Sequence, residues 1–168
     1  MAFCNDFSDL FVCHRKDNTV TAHRYLCGLV QSGKRNMERM EEVVEGADYE
    51  ATQQFISDSP WDSRAVMDRI AREADGMLGG SPDSCLVLDE SGFTKKGSSS
   101  VGVARQWNGR LGKVDNCQVG VFGCLCARKR YSLVDARLFL PKEWTDDPDR
   151  CRKAKVPDER IEYRTKIE

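Results

Sequence analysis

The chain has 168 residues, of which 40% are hydrophobic and 32% are charged, and its formal net charge is −1. This length and composition are typical of a globular protein with one ordinary domain, or a small domain and part of another. The balance of charge excludes a global field that would attract nucleic acid or an anionic membrane, so contact with a polyanion would need a local patch.

The first half of the chain predicts helices. Capping residues, stop signals and apolar residues at helical spacing indicate helices at about 21–30, 36–44, 48–56 and 59–78. Asn36 is the predicted cap of the second helix, and Ser59 or Asp58 with Pro60 is the predicted start of the last. Residues 1–80 are therefore expected to form a helical amino-terminal module, followed by a second domain at 81–168.

The stretch from Ser84 to Phe93 organises this second domain. Its apolar run, Cys85 to Leu88, lies between turn-forming residues and predicts a short strand buried on both faces. The run ends at Asp89, where a rigid sheet would meet solvent, and a carboxylate held there is suited to a divalent cation. The alternative is that Asp89 caps the following turn through its own backbone.

Two longer strands are predicted further along, at 116–127 and 131–140. A loop rich in Gly, Ser and Lys (91–100) and a short extended piece (101–107) precede them, and a basic turn joins them. Residues 142–168 are charged and lack apolar periodicity, which predicts a loop excursion. The expected fold class is α+β or α/β, a helical module followed by a sheet that looks unfinished after three strands.

Charge is unevenly distributed along the chain. Residues 38–62 carry eight acids and one base, whereas residues 93–133 carry eight bases and one acid. Contact with a polyanion would explain the basic segment. The alternative is a solvated surface that meets the acidic segment of the same molecule.

Eight cysteines raise the question of a metal site or disulfides. They lack any Cys-x-x-Cys pair and have only two histidines beside them, so paired zinc ligands at close spacing are absent: Cys4, Cys13, Cys27, Cys85, Cys117, Cys124, Cys126 and Cys151. The sequence shows neither a signal peptide nor an apolar run of about 20 residues that could span a membrane. We therefore expect reduced thiols in a cytoplasmic protein with no membrane partner.

The chain carries a set of recognisable motifs, at Leu86–Gly97, Ser100–Gln106, Gly112–Lys113, Asp115–Phe122, Tyr25–Leu29, Asp58–Asp62 and Arg137–Asp147. In their order along the chain these motifs resemble the DDE superfamily endonucleases, the transposases of bacterial insertion sequences. The resemblance covers about residues 21–166.

The resemblance implies an RNase-H-like mixed sheet whose first strand ends in the first of three metal-binding acids. Asp89 matches that acid and is the expected catalytic and metal-binding residue. Three carboxylates are needed because two divalent cations, Mg²⁺ or Mn²⁺, are held about 3.5–4 Å apart. The implied partners are DNA, as element ends and target, and another transposase copy. The expected DNA-binding residues are the bases Lys95, Lys96, Arg105, Lys113, Arg128, Lys129 and Arg130.

The sequence departs from the family pattern at the other two acids. Glu90 follows Asp89 on a strand and should point the opposite way, and Asp135 lies within the third predicted strand. With one carboxylate of three, metal binding by this chain alone is expected to be weak. The chain is thus predicted to be the amino-terminal, truncated portion of a transposase, inactive alone and associated with the bacterial nucleoid when bound to DNA.

Two other functions remain open at this point. One is a non-catalytic remnant that binds DNA or a full-length transposase. The other is a haloacid-dehalogenase-type phosphatase with Asp89 as nucleophile, although Ser91 stands where those enzymes usually place a second acid. Ser91 itself as a nucleophile would need glycine at positions 89 and 93.

Overall fold

The computed structural model describes residues 2–166, with side chains from Cys4 onward. Residue 1 and residues 167–168, at the outer ends of the two predicted domains, lie outside this range. The chain divides into two compact units, one up to Met67 and one from Asp68. Helices and antiparallel sheets both occur, so the predicted α+β fold is confirmed.

The first unit is built mainly of helices: α1 (Ala2–Asn5), α2 (Ser8–Phe11), α3 (Thr19–Gln31), α4 (Met37–Val43) and α5 (Tyr49–Ser57). Side-chain caps explain two of the starts, because Asn36 accepts the N–H of Arg39 at 3.0 Å and Asp48 accepts that of Ala51 at 2.6 Å. The core of the unit includes the stacked rings of Phe55 and Trp61, whose centroids are 5.1 Å apart.

The sequence predicted a helical module here, but the structure shows that the segment is not entirely helical. Strands β1 (Val12–Cys13) and β2 (Lys16–Asp17) pair antiparallel in a small hairpin. The turn becomes possible because His14 adopts a positive φ of 54°. A short apolar run such as Phe11 to Cys13 does not distinguish helix from strand by itself.

Helix α6 covers Ser63–Leu78 and begins four residues later than predicted from Ser59. Asp62 stands immediately before it and accepts the N–H of Arg64 at 2.7 Å. Trp61 is held outside the helix by a 2.7 Å hydrogen bond from its indole Nε1 to the carbonyl oxygen of Phe55. That tertiary contact fixes the extended segment before the helix.

The main sheet consists of β3 (Ser84–Thr94), β4 (Ala104–Asn108), β5 (Lys113–Ala127) and β6 (Arg130–Leu138). Strand β5 is central, because it pairs with β3 and β4 and, through its later residues, with β6. Every pairing in the described sheet is antiparallel. The parallel pairing that a mixed sheet requires is therefore not present within residues 2–166.

Strand β3 differs from its prediction in two ways. It continues for five residues beyond Asp89, because residues 90–94 remain paired with β5. It is also not buried on both faces, since Leu86 is 60% and Leu88 is 62% exposed. Strand β3 pairs only with β5 in this part of the chain, so one of its edges carries no neighbouring strand.

After the sheet come two short helices, α7 (Lys142–Thr145) and α8 (Pro148–Lys153), and a 3-10 turn at Asp158–Arg160. The sequence had predicted a loop excursion here, since helices of four and six residues leave no periodic pattern. Asp147 caps α8 by accepting the N–H of Arg150 at 3.0 Å. Trp144 and Cys151 are fully buried and anchor the segment.

Among the described residues, the helices are too short or too polar to cross a lipid bilayer.

Candidate functional site

Asp89 lies on β3 directly opposite Phe122 of β5. Residues opposite each other in an antiparallel pair share a face of the sheet, so the carboxylate lies beside the Phe122 ring. That ring meets Phe93 edge to face at 6.3 Å. Asp89 is exposed, and its Oδ1 accepts the N–H of Glu90 at 2.8 Å. The Asp89 carboxylate therefore lies on an aromatic part of the sheet surface, where a ligand can reach it.

The two acids rejected as substitutes project from the other face. Glu90 follows Asp89 on an extended strand, and its Oε2 lies 2.6 Å from Nζ of Lys166. Asp135 pairs with Gly123, which is opposite Leu88, and its Oδ2 lies 3.2 Å from Nε of Arg137. Side chains alternate between the two faces along β3, so Leu88 and Glu90 share one face and Asp89 lies on the other. Asp135 lies on the same face as Leu88, because both residues are opposite Gly123.

The carboxylates of this part of the chain do not fit a two-metal centre by themselves. Divalent cations of this kind need several oxygen ligands that converge on one point. Within residues 2–166 there is no group of three or more His, Cys, Asp or Glu side chains able to hold a metal ion. A complete centre would need ligands beyond Asp89.

The seven predicted DNA-binding bases form two patches rather than one. Arg128, Lys129 and Arg130 lie at the turn between β5 and β6, where Ala127 pairs with Ser84 of β3. The other four, Lys95, Lys96, Arg105 and Lys113, lie near the opposite end of β3, where Thr94 pairs with Cys117. Ser84 and Thr94 are ten residues apart along β3, so the two patches are separated by roughly 33 Å.

All seven bases are exposed, and two of them form ion pairs. Nζ of Lys113 lies 3.3 Å from Oδ2 of Asp115, and Nε of Arg128 lies 3.0 Å from Oδ2 of Asp83. The backbone N–H of Asn116 and the side chain of Lys113 lower the pKa of Asp115. Exposed pairs of this type are weak, so these bases can exchange their partners for phosphates.

The structure also identifies residues that the sequence analysis missed, around the loop 95–103 between β3 and β4. Nδ2 of Asn116 donates to the carbonyl oxygens of Lys95 (2.7 Å) and Gly97 (2.9 Å). Nε2 of Gln118 donates to the carbonyl oxygen of Val101 at 2.6 Å. Both side-chain amides belong to β5. Their positions two residues apart within an apolar strand were the sequence feature that could have identified them.

Three further side chains hold the same loop. Nη2 of Arg150 donates to the carbonyl oxygen of Ser98 at 2.9 Å, and Nε2 of Gln106 donates to that of Gly102 at 3.2 Å. Nε1 of Trp144 donates to the carbonyl oxygen of Val103 at 2.8 Å. The loop that carries Lys95 and Lys96 is therefore fixed along most of its length.

Comparisons with known proteins agree with the resemblance. A family model described as DDE superfamily endonuclease matches residues 3–168. The chain is also similar to a Microchaete diplosiphon protein named as a probable transposase for insertion sequence element IS701, with 29% identity over 154 residues. That alignment covers 89% of this chain and 39% of the relative, so the chain spans about two fifths of the relative's length. No solved structure gives a significant match.

Proposed function

Because the chain belongs to the DDE superfamily endonucleases, whose family model matches residues 3–168, we propose that it contributes to DNA strand cleavage and transfer by an insertion-sequence transposase. The extent of this match carries the proposal, since it includes nearly every residue. The similarity to the probable IS701 transposase supports the same function. Superfamily members generally use divalent metal ions. Binding to DNA would place the chain at the bacterial nucleoid.

Asp89 is the proposed catalytic and metal-binding carboxylate. Its exposure on a paired strand is consistent with this role, because a strand holds a ligand more precisely than a loop does. A site for Mg²⁺ or Mn²⁺ needs further carboxylates, and residues 2–166 contain no suitable cluster. We therefore assign the other carboxylates to protein outside these 168 residues, in keeping with the 39% share of the relative that is matched.

The proposed domain organisation follows the same argument. Residues 1–80 would form the helical module, and residues 81–168 the first part of an RNase-H-like catalytic domain. The open edge of β3 supports this, because it leaves room for another strand beside the one that carries Asp89.

DNA is the proposed partner of the two basic patches. At about 3.4 Å per base pair, a separation of roughly 33 Å corresponds to about one turn of duplex. One duplex could therefore contact both patches through its phosphates.

A second candidate function is non-catalytic binding to DNA or to a longer transposase. The observation that favours it is the lack of a metal-binding cluster in the described part of the chain. Both candidates predict DNA binding, but only the first predicts cleavage once the missing carboxylates are supplied.

A chimaera would distinguish the two functions. The chain would replace the matching part of the probable IS701 transposase, and strand cleavage would be measured with Mg²⁺ or Mn²⁺. We expect the chimaera to cleave and the isolated chain not to cleave. A folded, DNA-binding chimaera without cleavage would favour the non-catalytic function, and cleavage by the isolated chain would contradict the assignment of the other carboxylates.

A further inference from the structure

The anchors of the loop 95–103 act on its carbonyl oxygens. Side chains donate hydrogen bonds to the carbonyls of six loop residues: Lys95, Gly97, Ser98, Val101, Gly102 and Val103. A seventh carbonyl, that of Ser100, accepts the N–H of Val103 at 3.1 Å. Six carbonyls of the loop are thus turned toward side chains that lie outside it.

This arrangement determines where several N–H groups point. In a trans peptide the C=O of one residue and the N–H of the next are antiparallel, and the described residues include no cis peptide bond. The anchored carbonyls of Lys95, Gly97 and Ser98 therefore direct the N–H groups of Lys96, Ser98 and Ser99 away from the anchors. Residues 96–100 are all exposed, so these groups face solvent.

The three N–H groups are also available to a ligand. None of them donates to another group within residues 2–166. Lys95 and Lys96 add two exposed ammonium groups to the same segment. Solvent-facing backbone N–H groups beside positively charged side chains can donate to an oxyanion.

We propose that residues 95–100 form a phosphate-binding loop. The N–H groups of Lys96, Ser98 and Ser99 donate to the phosphate oxygens, and the ammonium groups of Lys95 and Lys96 neutralise its charge. The source of the phosphate rests on the proposed function, under which it belongs to a DNA strand. Asn116 is a positioning residue in this site, because it acts only through the carbonyls of Lys95 and Gly97.

The anchors lower the cost of binding. A free loop rich in Gly and Ser would lose conformational entropy when it closed around a phosphate, whereas this loop is already held. Removing an anchor should therefore weaken phosphate binding even though every positive charge remains.

Amide resonances give a direct test of the site. The ¹⁵N-labelled chain would be titrated separately with inorganic phosphate and with a random-sequence DNA duplex. We expect the amide resonances of Lys96, Ser98 and Ser99 to shift in both titrations, and that of Lys129 to shift with DNA only. If DNA binds while the three loop amides do not shift, the phosphate-binding loop is wrong and DNA binding stands. If they shift with phosphate while DNA does not bind, the loop stands and the proposed function fails.

Two variants separate positioning from charge. Asn116→Ala should lower DNA affinity about three- to tenfold without changing its salt dependence, because no charge is lost. Lys95→Gln with Lys96→Gln should reduce the slope of log affinity against log salt by about 0.9, because the two lysines neutralise the same phosphate.

Asn36→Ala provides the matched control, since it removes a helix cap in the other unit and leaves the loop intact. Its DNA affinity should equal that of the original chain. An Asn116→Ala variant that is folded and binds DNA with unchanged affinity would overturn the role of the anchors. A loss shared equally by Asn36→Ala would show that it reflects stability alone, which would overturn it as well.

Discussion

The indole Nε1 of Trp144 donates a 2.8 Å hydrogen bond to the carbonyl oxygen of Val103, and both residues are almost completely buried. The guanidinium of Arg150 covers the same indole at 3.9 Å from its centroid. Sγ of Cys151 donates to the carbonyl oxygen of Trp144 at 3.1 Å. Helices α7 and α8 thereby fix the end of the loop 95–103 at the start of β4.

Replacement of Trp144 by phenylalanine tests this relationship. Within residues 2–166, Trp144 is the only donor to the buried carbonyl of Val103, so the variant leaves that carbonyl without a partner and also leaves unfilled space. We expect the free energy of unfolding to fall by about 2–4 kcal/mol. Trp107→Phe, at a position 53% exposed, should cost much less. Equal losses in urea denaturation would show that the buried hydrogen bond is not special.

Gly92 provides a second test, of the packing around β3. An added Cβ would lie 2.6 Å from Cγ of Asn108, which is itself buried. Gly92→Ala should therefore destabilise the fold by about 1–3 kcal/mol. Gly76→Ala is the control, because Gly76 lies in α6 with open space around it and should gain up to about 1 kcal/mol. Thermal unfolding that shifted in the same direction for both variants would contradict this packing.

Two buried thiols should respond to alkaline pH. Burial raises the pKa of Cys117 and of Cys151, with smaller contributions from Asp115 and Asp147 respectively. A pKa raised by folding gives stability that is complete below the unfolded thiol's pKa of about 8.5 and is lost as pH rises through the folded value. The temperature midpoint of unfolding should accordingly decrease as the pH is raised above about 8.5.

Alkylation at pH 8 followed by mass spectrometry gives the companion measurement. Cys85 is exposed and should react first, whereas Cys117 and Cys151 should be protected until the chain unfolds. Rapid modification of either buried thiol in the folded chain would contradict the arrangement of these cores.

The open edge of β3 should promote self-association. Leu86, Val87 and Leu88 are all exposed, and one edge of their strand carries no neighbouring strand among residues 2–166. We expect concentration-dependent oligomers and marginal stability in the isolated chain, and Leu88→Lys should reduce the association. Val30→Lys, at an exposed position on α3, should leave it unchanged. A monomer with a sharp cooperative transition in sizing and calorimetry would contradict the unfinished sheet.

Local signals predicted the parts of the fold that local interactions determine. Asn36 caps α4 as predicted, α5 begins close to the predicted residue 48, and the apolar runs of β5 and β6 form strands close to the predicted bounds. The family assignment was also correct, because its motifs occur in order along the chain.

The errors arose where distant contacts override local preference. Ser91 and Gly92 were predicted to begin a loop, yet pairing with β5 keeps them in β3. The loop anchors were missed because Asn116 and Trp144 act on carbonyls far away in sequence, which no local pattern shows. Helices α7 and α8 are held by the buried contacts of Trp144 and Cys151. Their sequence therefore shows no apolar repeat at helical spacing.

The most direct test of the central claim compares Asp89→Asn with Glu90→Gln in the chimaera with the IS701-type transposase. The two acids are adjacent but lie on opposite faces of β3, and Glu90 is already paired with Lys166. We predict that Asp89→Asn abolishes metal-dependent strand cleavage while DNA binding persists, and that Glu90→Gln retains cleavage. Cleavage that survives Asp89→Asn, or that is lost only with Glu90→Gln, would contradict the assignment of Asp89 as the catalytic carboxylate.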